Sequence, residues 1–351
     1  MKISYNHETG AITLSMPSTV ERAAQHHLPP NVIAGGDDPA IPTGVKLQKL
    51  LDSLKLGPPS DAPLTKQQKE VQEITGELRY VCELLIRVAR GTYMLSCVMA
   101  RPEADALTAA KGVLLVAYRH KNEGPTYGGF GGGTELSPVI RSSFEASEPD
   151  GIRGKGGAIV ATHDGGQRLA TGAPDELEGI GDSTAYRIPH DYYVFAITWM
   201  RAIVLLVIKK IATTLGASMY TEGYASTKLS DWLEYGVTIT RALGRPPTGP
   251  VLLGSDSRSN LLVAGGQSSA SRSRHALLLY MQLQQRVQSE LIRLAYIADV
   301  DCPVDCFTKW KDKAKLEASL AYLYNSRART DVEARRELKV ALAILGIDDD
   351  D

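Results

Sequence analysis

Cysteine is scarce in this chain, and so is any excess of charge. Four cysteines in 351 residues, at irregular positions, exclude the disulfide framework of a small secreted protein. Lys and Arg number 39 against 40 Asp and Glu, so the net charge of −1 gives no overall field that attracts nucleic acid. We therefore expect a reducing, intracellular setting, in a compartment that the sequence does not specify, and nucleic-acid contact only through a local patch.

Long apolar segments are lacking as well. The most apolar stretch, Val194 to Ile208, spans 15 residues, contains Arg201 and leads into Lys209 and Lys210. A membrane-spanning helix needs about 20 apolar residues, and the start of the chain shows no signal-peptide pattern. The sequence therefore predicts no membrane span, and we interpret the stretch as part of a buried helix over 190–215.

The residues that are present change pattern about a third of the way along. Alternating apolar residues on both sides of Gly10 predict a β-hairpin over 3–16, followed by a connector rich in Pro and Gly. From Thr65 onward, apolar residues at three-to-four spacing predict helices, with a break at Gly91. A glycine-rich run at 128–133 ends this helical part.

Beyond residue 133 the pattern favours strands, then alternating helices and strands. Predicted strands cover 137–147, 156–163, 167–172, 251–255 and 290–298, and predicted helices cover 190–215, 230–243, 273–288 and 311–325. We interpret Asp164-Gly165-Gly166 as the hairpin turn between the second and third strands. The order is typical of an α/β domain with a mixed sheet and helices on its faces. The predicted units are a hairpin and connector (1–63), a helical region (64–133), an α/β domain (134–328) and a helical, acidic tail (329–351).

Two carboxylates of the α/β region stand where the acids of a metal site are often found. Asp256 directly follows an apolar strand, and Asp305 lies about fifty residues later in the turn Val304 to Lys309. Between them, the basic cluster Arg272-Ser-Arg274-His275 opens a predicted helix. Each of these features also has a purely structural interpretation. Asp256 can be a turn residue, and the basic cluster can be the solvated start of a helix.

Other potential metal ligands carry little signal in the sequence. Cys302 and Cys306 are close together, but no second pair of Cys or His lies near them, which argues against zinc. His26 and His27 have no neighbour in the sequence that would complete a metal site.

The motifs and their separations resemble the end of a copia-type retrotransposon polyprotein. Its ribonuclease H domain carries an aspartate followed by Asn or Ser, a basic-His motif that opens a helix, and an Ala-Asp-x-x-Thr-Lys turn. Asp256-Ser257, Arg272 to His275 and Val304 to Lys309 are similar to these. Upstream, Gly76 to Tyr80 and Ala109 to Tyr118 resemble the connection between polymerase and ribonuclease H. The polymerase motif of Tyr before paired aspartates is missing, so the resemblance implies a connection region and a ribonuclease H-like fold without DNA synthesis.

An active ribonuclease H of this family needs, as the resemblance implies, about four carboxylates around two magnesium ions. Asp256 and Asp305 match the third and fourth acids. Glu145, in Phe-Glu-Ala-Ser, matches the first.

The second acid is the open position of this set. An alignment on Ser183-Thr184 places Arg187 where a glutamate is expected and leaves Asp191 as the nearest acid. A competing alignment, further along the chain, offers Asp231 or Glu234 at a helix start. We prefer the first alignment. The resemblance then implies a catalytic set of Glu145, Asp191, Asp256 and Asp305, in which Glu145, Asp256 and Asp305 are metal ligands.

The first and second acid positions differ from the family pattern, and this difference determines the function that we expect. Glu145 is one methylene longer than aspartate, and a misplacement of ~1 Å can cost about 10²-fold in rate. Arg187 would put a cation where the metal belongs. We therefore expect a retroelement-derived protein with a degenerate ribonuclease H-like domain, acting as a non-catalytic structural or assembly subunit with protein partners and no cofactor.

Two alternatives remain open. The first is an active, magnesium-dependent ribonuclease H that cleaves the RNA strand of RNA–DNA hybrids with the four acids above. The second is a non-catalytic nucleic-acid binder, in which Arg272, Arg274 and His275, together with backbone amides of that helix start, contact phosphate.

Overall fold

The computed structural model describes residues 1–7, 10–36, 38–57, 61–127, 159–168, 190–199, 202–211, 218–247, 249–268, 274–311 and 313–325. The predictions on Glu145, Arg187 and Arg272, on the strand 137–147 and on the tail 329–351 lie outside these residues.

The N-terminal hairpin is confirmed. Strands β1 (Lys2–Tyr5) and β2 (Ile12–Ser15) pair antiparallel. Gly10, between them, has a φ of 69°, which glycine adopts at little cost. A short strand, β3 (Thr126–Tyr127), pairs with the other side of β2. This small sheet joins the start of the chain to the end of the helical region.

The helical region is built, in its described part, from α1 (Pro17–His27), α2 (Pro30–Ile33), α3 (Gly44–Ser53), α4 (Lys66–Val81), α5 (Ala89–Val98) and α6 (Ala104–Arg119). Thr65 begins α4 as predicted, because its hydroxyl accepts from the amide of Gln68 and the Gln68 side chain accepts from the amide of Thr65. The apolar faces of these helices share one buried core.

The predicted helix break at Gly91 is wrong. Gly91 lies inside α5, where a Cβ would stand 2.8 Å from Cγ2 of Val113 on α6. Glycine there permits the two helices to approach closely instead of ending one of them. The break comes earlier, where α4 ends and a 3-10 turn, Ile86–Val88, leads into α5.

The C-terminal half contains a mixed five-stranded sheet, counted over the residues described. Its strands are β4 (Ile159–Arg168), β5 (His190–Trp199), β6 (Ala202–Lys210), β7 (Val251–Ser255) and β8 (Ile292–Tyr296). The spatial order is β6-β5-β4-β7-β8. The first three strands in sequence are antiparallel neighbours, whereas β7 runs parallel to β4 and to β8.

Helices flank this sheet: α7 (Ser218–Ala242), α8 (Arg258–Ala264), α9 (Arg274–Gln288), α10 (Asp305–Thr308) and α11 (Lys313–Tyr324). The predicted class, an α/β domain with a mixed sheet and flanking helices, is therefore confirmed. No helix in the described ranges is long and apolar enough to cross a membrane.

Two parts of the predicted order are wrong. Asp164-Gly165-Gly166 is not a turn, because β4 continues through it and pairs there with 192–194 of β5. The helix predicted over 190–215 is a hairpin of β5 and β6, in which Trp199 pairs with Ala202. The run looked helical because β5 is buried along nearly its whole length, and such a strand loses its polar alternation.

The sheet separates two cores, and successive residues of β4 alternate between them. Ile159 and Ala161 face the core shared with α7 and α9. Val160 faces the core shared with α10 and α11. Functional residues further along β4 are therefore divided between the two faces.

The helical region also makes polar contacts with the residues that follow β8. Arg87, in the 3-10 turn, donates to both carboxylate oxygens of Glu123 at 2.8 and 2.9 Å and to both of Glu317, on α11, at 2.7 and 2.8 Å. The ring of Trp310 lies 4.0 Å from the guanidinium of Arg90, and its Nε1 donates to Asp52 at 2.7 Å. The residues after β8 are thus fixed against the helical region.

Candidate metal centre

Two aspartates meet where β4 and β7 run side by side. Thr162 pairs with Gly254 in this parallel ladder. Asp164 lies two residues further along β4, and Asp256, the residue directly after β7, lies two residues beyond Gly254. Side chains two residues apart in an extended chain point to the same face. The parallel register therefore brings the two carboxylates together.

Glu222, near the start of α7, completes the group. One carboxylate oxygen from each of Asp164, Glu222 and Asp256 lies within 4.8 Å of the others. Asp164 and Glu222 are buried, and Asp256 is half-buried. We refer to these three residues as the acid cluster.

Gly165 allows α7 to approach β4 at this point. Its backbone N–H donates to Oε1 of Glu222 at 2.8 Å. A Cβ at this position would stand 2.9 Å from the same oxygen and 2.9 Å from Cγ2 of Thr221. A glycine inside a strand is typical of such a close approach.

Burial and mutual repulsion perturb the acid cluster. Burial, and then the charges of Glu222 and Asp256, raise the pKa of Asp164 to about 8. Burial and the charge of Glu222 also raise the pKa of Asp256. Burial acts upward on the pKa of Glu222 too, but the hydrogen bond and charge of His163 outweigh it and the pKa is lowered. The negative charge of the acid cluster is therefore only partly neutralised by the neighbouring cations.

A chain of buried polar side chains holds Glu222 from the α7 side. Nδ1 of His163 lies 3.2 Å from Oε2 of Glu222, and Nε2 of His163 lies 2.7 Å from Oγ of Ser226. Nδ2 of Asn260 donates to Ser226 at 2.8 Å, and the hydroxyl of Tyr280 donates to Oδ1 of Asn260 at 3.0 Å. His163 therefore lies between Glu222 and a buried hydrogen-bond chain of Ser226, Asn260 and Tyr280.

Asp164 is held from the opposite face of the sheet. The hydroxyl of Thr308, the last residue of α10, donates to Oδ2 of Asp164. The charge of the next residue, Lys309, lowers the pKa of both Asp164 and Asp256, although burial and the other acids prevail. The turn after β8 therefore supplies both a hydrogen bond and a cation near the acid cluster.

Asp305, the predicted fourth acid, has a different environment. It is fully buried on α10, with Oδ1 3.1 Å from Nζ of Lys309 and Oδ2 in contact with Nζ of Lys311. Both lysines also lie 3.4 Å from Asp299. Within the described residues Asp305 is not a member of the acid cluster, and two lysines balance its charge.

The candidates for the second acid lie elsewhere. Asp191 is in β5, opposite Gln167, because the helix whose start it was expected to mark does not form. Asp231 and Glu234 lie further along α7 and pair with Arg286 at 2.8 and 2.9 Å. The position at the helix start beside β4 is filled by Glu222.

The side chains of the remaining predicted site residues, Glu145, Arg272, Arg274 and His275, lie outside the described part of the structure. Arg274 and His275 open α9, as the basic motif predicted.

Sequence reasoning missed Asp164 and Glu222, although signals for both exist. The two glycines after Asp164 favour a turn, whereas glycine within a strand also marks a close approach of another element. Buried residues at a spacing of four in α7, Ala225, Leu229 and Leu233, extend the helical pattern back to Glu222. Starting that helix earlier would have placed an acid in its first turns.

The donor set of the acid cluster fits a hard divalent cation. Carboxylate oxygens are the ligands that Mg²⁺, Mn²⁺ and Ca²⁺ prefer. Oε2 of Glu222 is buried without a hydrogen-bond partner, apart from its contact with the His163 ring. Burial and the charges of Glu222 and Asp256 outweigh the charge of Lys309 and raise the pKa of Asp164, and a bound divalent cation would offset that repulsion. Asp164, Glu222 and Asp256 are therefore suited to hold magnesium.

Comparisons with known proteins give two solved structures to report. No protein-family model and no curated protein sequence matches the chain. The N-terminal RNase H domain of a Mycobacterium tuberculosis protein, solved as a fusion with maltose-binding protein, is similar at 13% identity and a TM-score of 0.28, over 46% of this chain and 95% of that one. A pre-cleavage Mos1 transpososome is similar at 12% identity and a TM-score of 0.22, over 90% of this chain and 84% of that one.

Proposed function

We propose that this protein is a metal-dependent nuclease of the ribonuclease H-like type, which hydrolyses phosphodiester bonds of nucleic acid. The observation that carries the proposal is the acid cluster, in which Asp164 of the central strand, Glu222 of α7 and Asp256 after β7 bring three carboxylate oxygens within 4.8 Å. The sheet order supports it, because three antiparallel strands followed by two parallel ones are consistent with that fold.

The expectation of a degenerate site does not apply to the acid cluster. That expectation depended on Glu145 and Arg187 as the first and second acids. Asp164 and Glu222 now offer an aspartate in the central strand and a glutamate at a helix start. We therefore favour the catalytic alternative over the non-catalytic one.

Each residue of the centre has a role in the proposed reaction. Asp164, Glu222 and Asp256 would hold the cation, which when bound would supply an activated water and stabilise the leaving oxygen. His163 fixes the orientation of Glu222 through its contact at 3.2 Å. Thr308 fixes Asp164 from the other face of the sheet. A site whose ligands are held this firmly needs little rearrangement to bind its ion.

Substrate class and descent are proposed on the resemblance to copia-type elements. Asp256 lies in the acid cluster, and α9 begins at the basic motif, as in the family pattern. An RNA–DNA hybrid, cut in its RNA strand, is the substrate that this descent implies.

The test is a cleavage assay on the full chain. A labelled RNA–DNA hybrid, with duplex RNA, duplex DNA and single-stranded RNA as comparisons, is incubated in Mg²⁺ and separately in Mn²⁺. We expect cleavage of the hybrid that falls about 10²-fold or more in Asp164→Asn and Asp256→Asn. Asp231→Asn is the matched control, since this acid lies on α7 but pairs with Arg286 outside the acid cluster.

Absence of cleavage in both metals, or equal cleavage in Asp164→Asn and the wild type, would overturn the proposal. A nuclease contaminant is recognised by activity that survives in both cluster variants.

The second candidate function is the non-catalytic structural or assembly subunit. It is favoured by Asp305, the fourth acid of the family pattern, whose charge is balanced by Lys309 and Lys311. In that case Mg²⁺ would raise the unfolding temperature of the wild type by no more than it raises that of Asp164→Asn. The protein would instead be recovered in a defined oligomer or complex by size-exclusion chromatography with light scattering.

A further inference from the structure

A second group of metal-ligating side chains lies in the helical region, where the end of α1 packs against α4. One ligand atom from each of His26, His27 and Glu73 lies within 4.8 Å of the others. The sequence offered no coordination partner for the two histidines, because Glu73 is 46 residues away and reaches them only through helix packing. We refer to these three residues as the histidine cluster.

His27 is buried between two further carboxylates. Its side chain is 3% exposed, with Nδ1 3.7 Å from Oε1 of Glu70 and Nε2 3.6 Å from Oε2 of Glu77. Both distances exceed that of a hydrogen bond, so neither carboxylate holds the ring closely. Whichever nitrogen binds a metal, the other has a carboxylate 3.6–3.7 Å away, and a small approach on binding would form the hydrogen bond that orients metal-binding histidines and raises their basicity.

The surrounding charge favours a cation. Glu70, Glu73 and Glu77 are spaced by three and four residues, so they share one face of α4. Lys111 pairs with Glu70 at 3.0 Å. Oε2 of Glu77 is buried without a hydrogen-bond partner. Three carboxylates near one lysine leave negative charge that a divalent ion would balance.

We propose that His26, His27 and Glu73 bind a transition-metal ion of the zinc class, with Glu70 and Glu77 supporting His27. Two imidazoles and a carboxylate suit Zn²⁺, Co²⁺ or Ni²⁺ better than Mg²⁺, so this site differs in metal class from the acid cluster. Three protein ligands leave a fourth position for water. The ion joins α1 to α4 and thereby stabilises the packing of the N-terminal helix.

The test titrates the EDTA-treated full chain with Co²⁺, followed by visible absorption, and then displaces Co²⁺ with Zn²⁺. His26→Ala and Glu73→Gln each remove one ligand, and both residues are exposed, so the fold should persist. His120→Ala is the matched control, a histidine paired with Glu123 outside the histidine cluster. Asp256→Asn separates this site from the acid cluster.

We expect a Co²⁺ absorption band whose dissociation constant rises at least 10-fold in His26→Ala and Glu73→Gln and is unchanged in His120→Ala and Asp256→Asn. Zn²⁺ at about 100 times its dissociation constant should raise the unfolding temperature of the wild type by roughly 5 °C and that of His26→Ala by much less. Co²⁺ binding that is equal in the wild type and both ligand variants, or that is lost in Asp256→Asn alone, would overturn the proposal. Circular dichroism in EDTA verifies that the variants are folded.

Discussion

Nδ1 of His163 lies 3.2 Å from Oε2 of Glu222, and the residue that follows His163 in the strand is Asp164. The first contact lowers the pKa of Glu222, whereas the pKa of Asp164 is raised to about 8. Adjacent residues of β4 point to opposite faces, so the histidine supports Glu222 without directly neutralising Asp164. The cluster therefore contains one acid that is readily ionised and one that holds its proton.

Asp164→Asn should stabilise the metal-free protein at alkaline pH. The pKa of Asp164 is about 8 in the folded chain against 3.8 for an unperturbed group, so between these values the folded state binds more protons than the unfolded state. Its contribution to the free energy of unfolding falls as pH rises through this window. Relative to the wild type, we expect Asp164→Asn to gain about 2 kcal/mol between pH 6 and pH 9. Urea unfolding in EDTA measures this, and parallel pH curves for the two proteins would contradict it.

Magnesium should stabilise the wild type more strongly as the pH rises. A cation that binds the acid cluster displaces the proton of Asp164, so its affinity should increase towards a pH of about 8. We expect a larger rise in unfolding temperature from Mg²⁺ at pH 8.5 than at pH 6.5, measured by calorimetry. Asp256→Asn should abolish the rise, while Asp231→Asn should keep it. A shift of the same size in Asp256→Asn would assign the effect to another site.

Asp305→Asn should act in the opposite direction to Asp164→Asn. Asp305 is fully buried against Lys309 and Lys311, and its loss leaves two lysines without their shared carboxylate. Removing one partner of a buried pair costs about 3–5 kcal/mol, and we expect about 1–3 because the lysines can turn to solvent. Unfolding in EDTA at pH 8 tests this. Unchanged stability there, with lost Mg²⁺ binding, would indicate instead that Asp305 is a metal ligand.

Gly254→Ala should be strongly destabilising. A Cβ at this position in β7 would stand 2.1 Å from Cδ1 of Ile297 and 2.9 Å from its Cγ1, so the side chain must leave its place in the core that α10 also lines. Overpacking of this kind typically costs about 1–3 kcal/mol. Gly236→Ala in α7 is the matched control, because nothing lies within 4 Å of its added methyl group. That variant should gain roughly 0.5–1 kcal/mol from helix propensity, and chemical unfolding of both variants compares the two.

Some of this structure was predictable from local chemistry. The hairpin at Gly10, the cap at Thr65 and the strand 251–255 each depend on neighbouring residues, and each is confirmed. Asp256 was identified as a candidate because an acid directly after a buried strand is visible in the sequence. Where one segment alone determines the outcome, the pattern is sufficient.

The other two acids depended on partners far away in the sequence. Asp164-Gly165-Gly166 resembles a turn until β5 is known to pair with it. Likewise, the apolar run in β5 resembles a helix until both of its faces are known to be covered. Glu222 reaches the site because α7 packs on Gly165. Tertiary contacts decided these three cases, and a single sequence does not display them.

The strand order also affects how readily the protein associates with itself at high concentration. Among the strands that the structure describes, β6 and β8 form the two edges of the larger sheet, and an uncovered edge can recruit a strand from another molecule. β6 is mostly apolar but ends in the exposed Lys209 and Lys210, and β8 is only five residues long and exposes Arg293. Cations at both edges would repel a second copy that approached in the same way. Replacing the two lysines should therefore reduce solubility before it affects folding.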